Sequence, residues 1–315
     1  MPVFEALPAA PEDGELPLVR WGEGSWSVLP WEREVADQGY NSHTWQVANG
    51  ERRYVLKAVP KSHGAGFAAG LGVARGVAEQ GILSGTPNTT TTGDLVVLEG
   101  DWCWGLLDYM DGERVDRTDA EQMRIVGGTL AAIHRALVDH PVPAGVITWP
   151  QIDWLLAENE ALKPYPWIQR AMREALEVIP DDLTLGVVHG DPRVTEFRIK
   201  NGTGGLLDWG EVMYGPHVFD VASTLIYLDD EADKESFLRG YLATSVIDAS
   251  QLAYVDVMRK FRYAVEAWFF AHRESLQITL GQEAGEHTNA SILKMKHEDI
   301  EAVDAGRTKT SIPTV

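Results

Sequence analysis

The stretch GVVHGDPRVTEFRI (residues 186–199), with GGLLDWGE (204–211) and YGPHVFDVA (214–222) after it, decides how this chain is read. Two short apolar runs each deliver a carboxylate, Asp191 and Asp208, to the mouth of a turn, and Arg193 and Glu196 lie between them. That set suits the movement of a phosphoryl group: one acid for the nucleophile, others for Mg²⁺, and a cation for the phosphate.

The remaining composition sets the bounds. At 315 residues the chain is long enough for one large domain or two modest ones. An apolar fraction of 44% and a charged fraction of 23% are those of an ordinary globular protein. The formal net charge of −20, with no run of Lys and Arg, excludes a nucleic-acid binder. Acidity of this size keeps a protein in solution; gathered in a cleft it would also attract a cation. The single cysteine, Cys103, rules out an intrachain disulfide or a multi-thiolate metal site, and its place between Trp102 and Trp104 predicts a buried strand residue. No basic segment followed by an apolar run opens the sequence, and no stretch approaches the ~18 apolar residues of a membrane span. A cytoplasmic protein without membrane contact is expected.

Outward from the motif stretch, the chain divides into unlike parts. Prolines at 2, 8, 11 and 17 predict a flexible arm over residues 1–17. Strand texture then runs from 19 to 59, with a hairpin signal at Asn49-Gly50 that places Lys57 on its second strand. Residues 61–81 read as a glycine-rich helix; the spacing of its glycines does not fit a dinucleotide fingerprint. Residues 95–99 and 102–107 read as paired strands. From Thr118 the pattern is helical, with a capping box of Thr118 and Glu121, and helices expected over 149–162, 167–178, 219–228, 234–244 and 250–275. Residues 304–315 read as a frayed tail. The expected fold class is α+β: a sheet-rich first lobe over 18–110 and a mainly helical second lobe over 111–303, with the ligand site in the cleft between them.

His189-Gly190-Asp191, with Asp208-Trp209-Gly210 seventeen residues later and Asp220 in GPHVFDVA (215–222), resembles the aminoglycoside phosphotransferase and choline kinase family, which has the bilobal protein-kinase-like fold. The resemblance extends more weakly to YVLK (54–57), LDYMDG (107–112) and LAAIH (130–134), so it covers roughly residues 40–275 in the right order. It implies a kinase that uses ATP and Mg²⁺ on a hydroxyl of a small molecule such as an aminoglycoside or other antibiotic, a sugar or an amino alcohol; antibiotic resistance is among the roles it suggests. Asp191 would orient the acceptor hydroxyl and Arg193 would stabilise γ-phosphate charge. Asp208 would bind Mg²⁺, and Lys57 would pair with the α- and β-phosphates. Asn41 and Ser42 would offer N–H groups to phosphates, and the backbone of Asp108, Tyr109 and Met110 would meet the adenine edge. His189 and Asp220 would brace the catalytic loop.

The pattern also departs from the family. Glu196 stands where an asparagine is usual as second metal ligand; a glutamate can ligate Mg²⁺ or turn away. The helix after Lys57 offers only Glu79 as the lysine's partner, late along its length. These departures keep open a second reading, a nucleotide-binding pseudokinase. The acceptor pocket is expected on the C-terminal helices, where Arg262, Tyr263, Glu266 and His272 interrupt an aromatic run; the same residues also suit a core helix with a solvated edge. The acidic run at 229–233 could hold an amine or face solvent.

Overall fold

The β-branched and aromatic texture of the first third builds one antiparallel sheet in this computed structural model, which describes residues 8, 10–30, 40–149, 151–228, 230–279 and 288–313. Strands β1 (Trp26–Leu29), β2 (His43–Asn49) and β3 (Arg52–Pro60) follow one another. The hairpin forms one residue later than Asn49-Gly50 predicts: Asn49 pairs with Arg52, which leaves Gly50 and Glu51 as the turn. Helix α1 (Gly64–Glu79) follows, then β4 (Pro87–Asn88), β5 (Val97–Glu99) and β6 (Trp102–Asp108). The strand order is β1-β2-β3-β6-β4, with β5 also on β6. Lys57 therefore sits near the middle of the sheet, opposite Thr44 on one side and Gly105 on the other. Val47, Leu56, Trp104 and Leu106 form the core of one face, while Phe67 and Leu71 of α1 pack on Val59 and Cys103 on the other. Burial pushes the Cys103 thiol up to about 11, as befits an inert packing residue.

Helix α1 is rich in glycine, each of which costs up to ~1 kcal/mol relative to alanine in a helix. Gly70 has a packing reason: a Cβ there would lie 1.8 Å from the carbonyl oxygen of Trp209. The helix thus rests directly on the turn that carries Asp208. Val73, Ala74 and Val77, further along α1, join the core of the helical lobe.

That lobe contains β7 (Glu113–Arg114), α2 (Ala120–Ala136), β8 (Ile147–Thr148), α3 (Pro166–Val178), β9 (Leu185–Val188), β10 (Phe197–Lys200), β11 (Thr203–Leu206) and β12 (Met213–Pro216), followed by α4 (His217–Leu225), α5 (Glu231–Leu242), α6 (Val255–Ser275) and α7 (Asn289–Asp304). Several local expectations change here. Helix α2 is capped by Asp119, whose carboxylate accepts from the N–H groups of Glu121 and Gln122; Thr118 belongs instead to a turn around Asp116. Residues 149–162 do not form a continuous helix but the short 3₁₀ turns Asp153–Leu156 and Glu160–Leu162. Asn159 accepts from the Ala161 N–H, the side-chain competition that starts a new turn and breaks a longer helix. In the acidic run, Asp230 caps α5 at Ala232 N, so its described residues open a helix; Asp229 lies outside the described residues. Toward the C-terminus the chain is tied down rather than frayed: Thr310 is buried and donates through its N–H and hydroxyl to Asp256, while Arg259 holds the Thr308 carbonyl at 2.7 Å. Among the described residues no helix is long and apolar enough to cross a membrane.

Candidate active site

Strand β9 runs antiparallel to β12, with Val187 opposite Tyr214 and Val188 opposite Met213. This pair delivers the 189–191 loop onto the backbone that follows Asp208. Gly190 (φ +86°) is required there, because a Cβ would fall 2.0 Å from the Glu211 carbonyl oxygen. Asp220, in the first turn of α4, accepts the N–H groups of His189 and Gly190, both at 2.8 Å. It also faces His134 Nε2 at 3.2 Å, and the Tyr241 hydroxyl lies 2.8 Å from His134 Nδ1. Burial pushes the Asp220 carboxyl up, but the His134 bond and the loop N–H groups outweigh it and hold the group below its ordinary value. His189 completes the brace through Nε2, 3.0 Å from the Leu207 carbonyl.

Asp191 lies inside a tight ionic network. Arg193 donates from Nε to Oδ2 at 2.7 Å, and Arg262 from Nη2 to Oδ1 at 2.6 Å. The Tyr227 hydroxyl is 3.3 Å from Oδ1 and donates to Glu266 Oε1 at 2.5 Å. Lys296, from α7, closes the chain on Glu266 Oε2 at 2.7 Å. Loss of hydration raises the Asp191 carboxyl, yet Arg262 and then Arg193 overcome that and keep it below the usual carboxylate range. Glu266 is likewise pushed up by burial and brought down by Lys296 and Arg262.

This alters the picture of the expected acceptor residues. Arg262 and Glu266 do face the cleft, but their charged groups are spent on Asp191 and on one another. Tyr263 is buried on another side of α6, flanked by Arg259 and Lys296. His272 is buried too, with Nδ1 on the Trp268 carbonyl and Nε2 on Asn159. Neither is among the residues that line the cleft, and both rings pack around α6.

On the other side of the turn, Lys57 reaches from β3 to Asp208 Oδ1 at 2.5 Å. Glu79 is not its partner; it is exposed and 3.6 Å from Arg75. Asp208 adopts the left-handed conformation (φ +61°), tolerated by aspartate and rare in other L-residues. Dehydration in the cleft works against its charge, but Lys57 prevails and brings the carboxyl down to about 2. Glu196, next to β10, moves the opposite way, raised by burial and by the Asp208 charge. Glu211, which the sequence did not single out, behaves similarly: dehydration, Asp191 and Asp208 all raise it.

Asn41, Ser42, Lys57, Asp108, Tyr109, Met110, Asp191, Arg193, Glu196 and Asp208 all line one cleft of about 1590 Å³, larger than a single drug-sized ligand needs. Gly39, which precedes the 40–43 stretch, lies outside the described residues. The 108–110 segment offers fewer free backbone N–H groups than expected. Asp108 N–H already donates to the Thr86 carbonyl at 2.8 Å and Tyr109 N–H to that of Arg53 at 3.3 Å, while the Asp108 carboxylate is held by Arg52 and Asn88. Among the described residues only the Met110 N–H of the three is not engaged in this way.

A model described as the phosphotransferase enzyme family matches residues 32–254. A homoserine kinase of Methylorubrum populi is 25% identical over 171 residues, 49% of this chain, and the chain spans about half (53%) of that relative's length. Among solved structures, an amicoumacin kinase in complex with AMP-PNP, Ca²⁺ and Ami superposes with a TM-score of 0.71 at 13% identity, covering 94% of this chain and 93% of the other. A microcompartment-associated aminopropanol kinase gives 0.64 at 14% identity, over 94% and 97%. A spectinomycin phosphotransferase with ADP and spectinomycin gives 0.67 at 12% identity, over 94% and 99%. These likenesses establish the protein-kinase-like fold.

Proposed function

The chain belongs to the phosphotransferase enzyme family, and on that premise we propose that it transfers the γ-phosphoryl group of ATP, bound with Mg²⁺, to a hydroxyl group of a small molecule. One observation carries the reading. The Lys57–Asp208 pair bridges the two lobes on one side of the cleft, while Asp191, kept ionised by Arg193 and Arg262, opens to the same cleft on the other.

The residues suit a nucleotide-bound metal. Among the described residues no group of three or more His, Cys, Asp or Glu side chains could hold a metal unaided. Asp208 and Glu196 are hard oxygen donors whose mutual repulsion a cation would relieve, and Mg²⁺ takes few protein ligands when phosphate oxygens supply others. Bound there, Mg²⁺ would neutralise charge on the phosphate oxygens. Lys57 then pairs with the phosphates, Asn41 and Ser42 border them, and Met110 offers its N–H to the base. Asp191 accepts the acceptor's hydroxyl proton in a hydrogen bond and points the oxygen at the γ-phosphorus. Because its two arginines hold it ionised, it works by orientation more than by storing a proton. Arg193, partly exposed, neutralises charge that builds on the transferred group. Arg262, Tyr227, Glu266 and Lys296 position Asp191; His189 and Asp220 brace its loop.

Similar proteins are named as kinases of homoserine, aminopropanol, amicoumacin and spectinomycin, which supports a small-molecule acceptor. No observation favours the pseudokinase alternative. The test is a panel of hydroxylated metabolites and antibiotics with ATP and Mg²⁺, read by mass spectrometry for a gain of phosphate. Asp208→Asn should abolish metal-dependent transfer, and wild-type turnover in that variant would sink the assignment.

A further inference from the structure

The charges that Arg262 and Glu266 of α6 turn toward the cleft are already spent, and what else lines that side is largely aromatic. Arg262, Val265, Glu266 and Phe269 recur at intervals of three and four along α6 and so form one stripe, all of it lining the cleft. Arg262 and Glu266 in that stripe are committed to Asp191, Tyr227 and Lys296. Val265 and Phe269 are half-buried, as a wall open to a ligand should be. Trp149, Trp154 and Tyr40, also half-buried and lining the cleft, extend the wall. They are held edge-on by inner rings: Trp149 on Phe261 at 5.4 Å, Trp154 on Trp268 at 5.2 Å and Tyr40 on Phe270 at 5.3 Å. The wall is therefore packed against an inner layer of rings. The cleft's other carboxylates, Asp108, Glu113, Glu196 and Glu211, lie outside α6 and the 149–155 segment; Glu211, three residues after Asp208, is also near enough to Asp191 and Arg262 to feel their charges.

We propose that the acceptor is a hydroxylated compound with a flat apolar ring face, uncharged at physiological pH, rather than a cation carrying several ammonium groups. This rests on the phosphotransferase reading and narrows it. A polycation would give up its hydration against aromatic surface while finding, among the described residues of this wall, no carboxylate left to receive it, and it would meet Arg193 and Arg262 at the reacting hydroxyl. A ring face gains by covering Phe269, Trp149 and Trp154, and its orientation sets one hydroxyl against Asp191.

The experiment uses the full chain and a matched series in which one ring-bearing alcohol carries no, one or three ammonium groups. Binding is followed by quenching of tryptophan fluorescence and transfer by phosphate gain from ATP–Mg²⁺. The uncharged member should bind most tightly and be phosphorylated with the highest kcat/KM, and Phe269→Ala should weaken its binding by about tenfold or more, the scale of losing a central aromatic contact. Val265→Glu, which places an unpaired carboxylate on the wall, should shift preference toward the singly charged member, and it decides the matter if Phe269→Ala fails to fold. Preference of the native protein for either cationic member, or unchanged binding in folded Phe269→Ala, overturns the inference while leaving phosphotransfer intact. Fluorescence that ranks the uncharged member first, with no transfer to any alcohol, upholds the inference about the pocket and removes the phosphotransfer reading instead.

Discussion

Replacing Arg262 with methionine tests the site at its least expected joint. The side chain is buried and gives Asp191 Oδ1 a charge-assisted bond at 2.6 Å; it also lies 3.5 Å from Glu266. Removing one partner of a buried ion pair costs about 3–5 kcal/mol, since the other charge is left in a poor environment. Here Arg193 remains on Oδ2 and Lys296 remains on Glu266, so the lower end, about 3 kcal/mol, is expected in chemical denaturation. Methionine keeps most of the volume and limits cavity effects. Catalysis should suffer separately. With Oδ1 no longer fixed, Asp191 loses its aim, and a misplacement near 1 Å costs about 10²-fold. The pH dependence has a definite sign. Folding lowers the Asp191 pKa, so its stabilising contribution is fully present above its unfolded value near 4 and is lost as pH falls toward the lower folded value. In the variant, burial is opposed by one arginine instead of two, the folded pKa rises, and an acid limb should enter the kcat profile that the wild type lacks in the same range. Arg262→Lys, with charge but no fork, should recover only part of kcat. The assay is kcat and KM from pH 5 to 8 alongside urea unfolding. A folded Arg262→Met protein with wild-type kcat and an unshifted profile would refute the reasoning.

Three further outcomes are expected. Gly70→Ala should lower stability by about 1–3 kcal/mol and raise the KM for ATP, because its methyl would press on the Trp209 carbonyl, whereas Gly72→Ala, with nothing within 4 Å, should raise stability by up to ~1 kcal/mol; thermal melts of the pair decide this. Asp220→Asn should cost about 2–4 kcal/mol, since an amide offers one oxygen where the carboxylate now serves two loop N–H groups and His134; a melt within 1 kcal/mol of wild type counts against the brace. Glu196→Asn should retain transfer with an altered metal requirement if Glu196 serves as a ligand, and a magnesium titration that does not move would show it is turned away.

The fold class was legible because its signals are local. Strand texture, the hairpin signal at Asn49-Gly50 (realised one residue later) and the glycine in His189-Gly190-Asp191 each act through near neighbours, and each leaves a trace in the sequence. The paired acids Asp191 and Asp208 were legible for the same reason, since each closes a short apolar run. What was hidden depends on contacts between distant segments. Tyr227, Glu266 and Lys296 meet only because α6 lies against both α4 and α7, and no spacing announces that. Arg262 was noticed, but a polar residue in an aromatic helix reads equally as a ligand contact or as a partner for something buried. Whether Glu79 meets Lys57 was not legible because position along a helix does not reveal which way the helix faces, and Asp119 took the cap from Thr118 because adjacent capping residues compete on equal terms.

The absence of a glutamate facing Lys57 on α1 looked in the sequence like a missing part. The structure offers a different account of how the lobes stay in register. Lys57 bonds Asp208 directly, and one residue further Trp209 presents its carbonyl to Gly70, so β3 and α1 both grip the same turn. A glutamate side chain can swing on its rotors; a helix backbone laid on a carbonyl cannot move without moving the turn. The same glycine that weakens the helix locally therefore couples it to the turn that carries Asp208. Val73, Ala74 and Val77 extend that grip into the helical core, and α1 behaves mechanically as part of the second lobe while its other side covers the sheet of the first. In this arrangement Gly70, costly as helix propensity, is the condition for close contact between α1 and the turn that carries Asp208.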